Sequence, residues 1–231
     1  MMKDFKTQNK IKNIKKACKI TDKIIKLIIK NLKKQKFKTE IEINNFIKQQ
    51  AKVHKTVLAF PPVIATGKNA AEIHHIPNKT KIKKGFLVMD LGVKYKGFCS
   101  DCTRTVYIGD PSKKEKKLYN LILQAQLTSL NHAIPKTSAA DIDLIARGIL
   151  IDHYKNFVHG LGHGVSKKIH SPPTLAPKSK STLKKNQIIT IEPGLYFKNK
   201  LGIRIEDTII VKNKPIILTK TTKKLIVIKN T

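Results

Sequence analysis

Four acidic residues set the tightest limit on what this chain can fold into. Asp90, Asp101, Glu192 and Glu206 stand inside or beside apolar, strand-like runs, and the chain has only 15 Asp and Glu against 47 Lys and Arg. A carboxylate in a protein interior is costly unless it is hydrogen-bonded, paired or bound to a cation. A fold that places four scarce acids in strands has to gather and neutralise them.

The runs are FLVMDLGVKY and GFCSDCTRTVYIG, then QIITIEPGLYF and LGIRIEDTIIV. Each is bounded by turn residues and rich in residues that favour strands. Short turns join them, near Gly97 and at Lys198-Asn199-Lys200. In an antiparallel hairpin, residues equidistant from the turn face each other with Cβ atoms about 5 Å apart. Asp90 and Asp101 straddle a turn spanning Lys94 to Gly97, and Glu192 and Glu206 straddle Asn199. Each pair is therefore expected to be directly opposed on one face, where like charges repel. Arg204, two residues from Glu206, cannot neutralise four carboxylates; divalent metal ions can. The alternative is a set of buried, protonated or arginine-paired acids without metal. Oxygen ligands with an imidazole suit manganese, cobalt, zinc or iron, and the near absence of thiolates argues against a structural zinc site. Two ions about 3.5–4 Å apart with bridging carboxylates form a known hydrolytic arrangement.

Apolar residues at helical spacing (Ile11, Ile14, Cys18, Ile25, Ile29, Leu32) predict a helix over 8–34. A second is expected over 39–54, opened by Thr39 as cap with Glu42 three residues on. A Pro- and Gly-marked loop follows from Phe60 to Lys84, then the first strand pair, then helices at 112–132 and 138–155. A Gly- and His-rich loop runs from His159 to His170, ahead of Pro172-Pro173, the second strand pair and a last strand near Lys224–Lys229. The order is two helices then strands, twice over. Strands that return after short turns are antiparallel, so the class is α+β. With 40% hydrophobic residues, one compact domain over 1–231 is expected, or two fused half-domains; within the single domain, helices near 8–54 precede a metal-binding core near 60–211.

A formal charge of +32 raises nucleic-acid binding. The excess is spread along the chain, and only Arg104, Arg147 and Arg204 carry the bidentate guanidinium that such surfaces favour. No specific nucleic acid is expected, though weak, salt-dependent binding to polyanions fits the charge. No apolar stretch is long enough to span a membrane, and no secretion signal opens the chain, so a cytoplasmic protein without membrane contact is expected. Cys99 and Cys102 form a C-x-x-C around Asp101 in a strand-like run, where small strand residues are a better reading than a redox pair.

At these residues the sequence resembles the pita-bread metallopeptidases, specifically the aminopeptidase P and prolidase branch. FPPVIATGKNAAEIHH, MDLGVKYKGFCSDCTRT, HGLGHGVSKKIHSPP, ITIEPGLY and GIRIEDT occur in family order. The resemblance implies a curved antiparallel sheet flanked by helices in pseudo-twofold halves. It implies two metals, manganese first, held by Asp90, Asp101, His163, Glu192 and Glu206, with Asp101 and Glu206 bridging. A hydroxide between the ions would attack the scissile carbonyl, with Glu192 passing the proton. His74 and His170 match histidines that contact substrate and stabilise the tetrahedral intermediate. His159 matches one beside the leaving-residue pocket, and Arg204 one that braces the ligand strands. His75 stands where the family has an aromatic, and Ser166 and Ser171 depart from the family's histidine loop. The large N-terminal domain of full-length relatives has no counterpart, so a stand-alone catalytic domain is expected, its oligomeric state open. The implied activity is hydrolysis at the N-terminus of peptides, an Xaa-Pro aminopeptidase or dipeptidase. The alternatives are a methionine aminopeptidase of the same fold, or a metal-free binding protein built on it.

Overall fold

The computed structural model describes residues 2–229, with side chains from residue 7 onward. Two helices open the fold, α1 (Met2–Lys33) and α2 (Glu40–Val53). On α1, Ile14, Ala17, Cys18, Ile24, Ile25 and Ile28 are fully buried, a stripe at helical spacing. Each buried isoleucine contributes about 1.5–3 kcal/mol of transfer free energy. Together α1 and α2 cover one side of a sheet built from β1 (Val63–Thr66), β2 (Gly85–Leu91) and β3 (Cys102–Ile108). All four residues of β1 are buried, although the sequence assigns them to a loop. The run is short and flanked by proline and glycine, so periodicity gave no signal.

The second half repeats the plan. Helices α3 (Lys113–His132) and α4 (Ala139–Ile149) pack on β4 (Gly162–Gly164), β5 (Ser171–Leu175), β6 (Ile188–Ile191), β7 (Gly194–Phe197), β8 (Leu201–Arg204) and β9 (Asp207–Ile210). A capping box between Ser112 and Glu115 starts α3. The expected helix over 138–155 stops at Ile149 and continues as a 3-10 turn, Ile151–Asn156. Beyond Leu150, Ile151 and Tyr154 face solvent, so no apolar stripe holds an α-helix to the core. The last strand, β10 (Ile226–Ile228), returns to the first half and runs parallel to β3.

The two hairpins differ in how far they follow the turn arithmetic. In the second, Gly194 pairs with Arg204 and Ile191 with Asp207. Both ladders share one register, so Glu192 and Glu206 face each other in the gap between them, as expected. In the first, Tyr95 pairs with Phe98 around Lys96-Gly97, both at positive φ (46° and 80°). That two-residue turn is centred one position later than expected, so Asp90 opposes Thr103, not Asp101. Asp101 instead sits where the chain leaves the ladder just before β3.

Candidate metal centre

The two halves meet where β3 lies against the segment Arg204–Thr208. The Glu206 amide donates to the Thr103 carbonyl (3.1 Å), Thr105 Oγ1 to the Arg204 carbonyl (2.8 Å), and Thr208 Oγ1 to the Asp101 carbonyl (2.7 Å). This seam carries Asp90 on β2, Asp101 before β3, His163 on β4, Glu192 after β6 and Glu206 before β9. Asp90, Asp101, His163 and Glu192 line a cavity of about 450 Å³, and Arg204 lies in its wall. His74 and His170 stand at its exposed rim, with Phe60, Ile73, Ile76 and Ile169 as apolar neighbours. A larger groove of about 860 Å³ lies along α1, but neither a carboxylate nor an imidazole lines it.

His163 Nδ1 donates to the Gly164 carbonyl at 3.1 Å, which leaves Nε2 as a lone-pair donor. Nε2 faces Glu192 Oε1 at 3.3 Å and Asp101 Oδ2 at 3.5 Å. One ligand atom each from Asp101, His163 and Glu206 lie within 4.8 Å of one another. Nitrogen and oxygen ligands about 2.1 Å from a shared ion stand roughly 3.4 Å apart at a tetrahedral angle. Thr103 Oγ1 donates to Glu206 Oε2 (2.8 Å) and Thr190 Oγ1 to Glu192 Oε1 (2.9 Å). Glu206 Oε1 and Asp90 Oδ1 are buried and have no protein partner. Orphaned carboxylate oxygens beside an imidazole lone pair fit hard or borderline divalent cations.

Electrostatics support that fit. Burial first, then neighbouring carboxylates, push Asp101 and Glu206 well above the usual carboxylate range. Burial likewise raises Glu192 to about 7, against the pull of Arg204. Sequence reading placed only these four acids in the interior, and the structure corrects it: Asp22, Glu40, Asp143 and Asp207 are also buried. Those four have ordinary partners. Asp207 binds Arg104 (2.7 Å) and Lys223 (2.5 Å), Asp143 binds Arg147 (2.7 Å), and Asp22 accepts from the amides of Lys220 and Thr221. Four donors meet Glu40. Burial alone does not mark a metal ligand; a buried carboxylate oxygen left without a protein partner, as on Glu206 and Asp90, points to one.

Arg204 Nη2 donates to Asp90 Oδ2 (2.8 Å), so one oxygen of that carboxylate is held and the other left open. Arg204 Nη1 donates to the Tyr196 hydroxyl (2.7 Å), which lies 2.9 Å from His159 Nε2. Because His159 Nδ1 donates to the Gly160 carbonyl (2.7 Å), Nε2 accepts the Tyr196 hydroxyl hydrogen. His159 thus stands behind Tyr196 and is not among the residues that line the cavity. Tyr196, Thr103 and Thr190 are site residues that sequence reasoning missed. Thr103 and Thr190 sit two residues from a ligand and Tyr196 four, all even spacings along a strand motif, so side-chain alternation was the available signal.

A comparison of sequences gives the family. The profile of metallopeptidase family M24 matches residues 12–213. The chain belongs to metallopeptidase family M24. This M24 chain is 40% identical over 216 residues to an uncharacterized peptidase of Methanocaldococcus jannaschii, covering 91% of this chain and 62% of that one. It is 36% identical over 230 residues to the Xaa-Pro dipeptidase of Pyrococcus horikoshii, covering 97% and 65%. The crystal structure of prolidase from Thermococcus sibiricus superposes with a TM-score of 0.90 at 37% identity, covering 95% and 61%. The M24 chain therefore spans a little under two thirds of the length of these relatives. Its likeness to them establishes the pita-bread fold expected from the sequence. Among the described residues, no helix is long and apolar enough to cross a membrane.

Proposed function

We propose that this chain is a dinuclear-metal exopeptidase that removes N-terminal residues from peptides, with Xaa-Pro bonds as its substrates. The observation that carries this reading is the convergence of Asp101, Glu192, Glu206 and His163, with orphaned oxygens on Glu206 and Asp90 and a single protein cation, Arg204, paired to the other oxygen of Asp90. Names of relatives at 36% identity, Xaa-Pro dipeptidases, support the substrate class. Asp90, Asp101, His163, Glu192 and Glu206 would hold two divalent ions, manganese first among the candidates. Bound there, the ions supply a hydroxide nucleophile near neutral pH and polarise the scissile carbonyl.

The remaining work falls to the chain's own groups. Glu192, steadied by Thr190, takes the proton of the attacking water and passes it to the leaving nitrogen. His74 and His170, at the rim, donate to the substrate oxygen as negative charge develops. Their apolar neighbours exclude water and accept the substrate's side chains. Arg204, fixed by Tyr196, holds Asp90 in orientation. His159 acts by holding Tyr196 and so shapes the leaving-residue side.

The test is hydrolysis of Xaa-Pro dipeptides and longer Xaa-Pro peptides with added manganese, cobalt or zinc, against Met-Ala as control, with metal content measured by mass spectrometry. Glu192→Gln is expected to lower kcat by about 10²–10⁴, the range for general acid–base groups, while the circular-dichroism spectrum stays that of wild type. Full activity in that variant, or metal-free protein under every condition, would overturn the reading. Preference for Met-Ala would redirect it to methionine aminopeptidase.

A further inference from the structure

His74 reaches the rim of the cavity on a loop anchored to α2, with His75, which also lines the cavity, turned back toward that anchor. Glu40, the first residue of α2, is wholly buried. Its carboxylate accepts four hydrogen bonds, all from the segment that carries His74: the Thr66 amide (2.8 Å), Asn69 Nδ2 (3.0 Å), the Asn78 amide (3.3 Å) and His75 Nε2 (2.8 Å). The bonding runs the other way as well. The Glu40 amide donates to the Thr80 carbonyl (3.2 Å) and the Ile41 amide to the Asn78 carbonyl (2.9 Å). The loop thus satisfies helix-terminal donors that a cap would otherwise take. Thr39 accordingly makes no side-chain cap, contrary to the sequence reading, and Glu42 turns back to the Lys38 amide (2.6 Å). On its other side the loop rests on β8: a Cβ added at Gly202 would lie 1.7 Å from the Ala70 carbonyl oxygen.

We infer that Glu40 and His75 form a staple that positions His74 for contact with the substrate. This rests on the reading of His74 as a substrate-contacting group. His75 is the specific element. It is buried beside exposed His74, and its ring joins Glu40 to Glu72 (3.2 Å) at the turn where the chain carries His74 outward. A phenyl ring there would fill the space and leave Glu40 one donor short.

The staple is tested by a double-mutant cycle on the metal-loaded enzyme with an Xaa-Pro peptide. His75→Phe is expected to lower kcat/KM by about 10-fold, mainly in kcat, as displacement of a positioned group does. His75→Gln, which keeps an N–H toward Glu40, is expected to recover most of that loss. In a His74→Ala background His75→Phe is expected to cost less than about 2-fold, because its effect passes through the missing imidazole. Metal content by mass spectrometry is expected to stay at the wild-type level throughout. Asn69→Ala, at a half-exposed side chain, gives the same cycle should His75→Phe not yield folded protein, with an expected loss of about 3-fold. Equal losses in both backgrounds, a glutamine variant no better than phenylalanine, or a fall in bound metal would overturn the staple. Wild-type activity in His74→Ala alone would instead overturn the role of His74, and the staple with it.

Discussion

His159 shows how a single ring is held in one protonation state by its contacts. One nitrogen donates to the Gly160 carbonyl and the other accepts from Tyr196, so an added proton would have to break the second bond. Burial first, then the Arg204 cation, depress its pKa to about 4. An unfolded histidine titrates near 6.5, so the folded chain binds fewer protons between the two values. Stability from this group is full above about pH 6.5 and is lost as pH falls toward about 4, by an upper bound of about 3 kcal/mol. Urea unfolding of wild type and His159→Gln at pH 7.5 and 5 is expected to show a smaller acid loss in the variant. Parallel pH profiles would remove His159 as the source. Other residues were legible from the sequence to different depths. The five proposed ligands could be named because acids are scarce and the motifs specific. The partners of Asp22, Glu40, Asp143 and Asp207 could not, because each pairing joins groups remote in sequence or hidden on a helix face.

At the scale of elements, turn geometry decided what could be read in advance. The three-residue turn at Lys198–Lys200 has one centre consistent with its flanking pattern, and the register of Glu192 with Glu206 followed from it. At the first hairpin the sequence pointed to a turn spanning Lys94 to Gly97, centred one position too early. The chain took the two-residue turn with both φ values positive, which matches the twist of antiparallel strands. One step in the centre moved the partner of Asp90 by two residues, yet Asp101 still reaches the cavity because the chain departs from the ladder at Ser100 and Asp101. Helix existence was clear from spacing; the strand Val63–Thr66 was too short to show a period. Close packing between elements gives a further expectation. Gly202→Ala forces the turn at Ala70 away from β8 and is expected to cost about 2–4 kcal/mol in urea unfolding, with reduced turnover. Unchanged stability would mean that the turn moves freely and that β8 does not seat it.

At the scale of the whole molecule, the site belongs to neither half alone. Asp90 and Asp101 come from the first, His163, Glu192 and Glu206 from the second, and hydrogen bonds from Thr103, Thr105 and Thr208 sew the halves together. A cation bound across that seam should therefore stabilise the entire fold. Ligand at 100 times its Kd adds about 2.7 kcal/mol. For a chain of this size that corresponds to a rise in Tm of roughly 5–10 °C. Calorimetry of chelator-treated protein with increasing manganese is expected to show this rise, and none in a Glu206→Gln, Asp101→Asn double variant. A Tm indifferent to metal would separate the cluster from any bound ion.

Glu206 and Asp207 are neighbours whose carboxylates face opposite ways, one toward Asp101 and His163 and one toward Arg104 and Lys223. Deleting one residue in the Lys198–Lys200 turn would put Asp207 in the place of Glu206, and adding one would put Glu206 in the place of Asp207. In the first case the shorter side chain would fall short of the site, and in the second the longer would be pressed against a guanidinium shaped for the shorter. The length of that exposed turn is thus held fixed by the site, while its lettering is constrained only by the positive φ (58°) at Asn199.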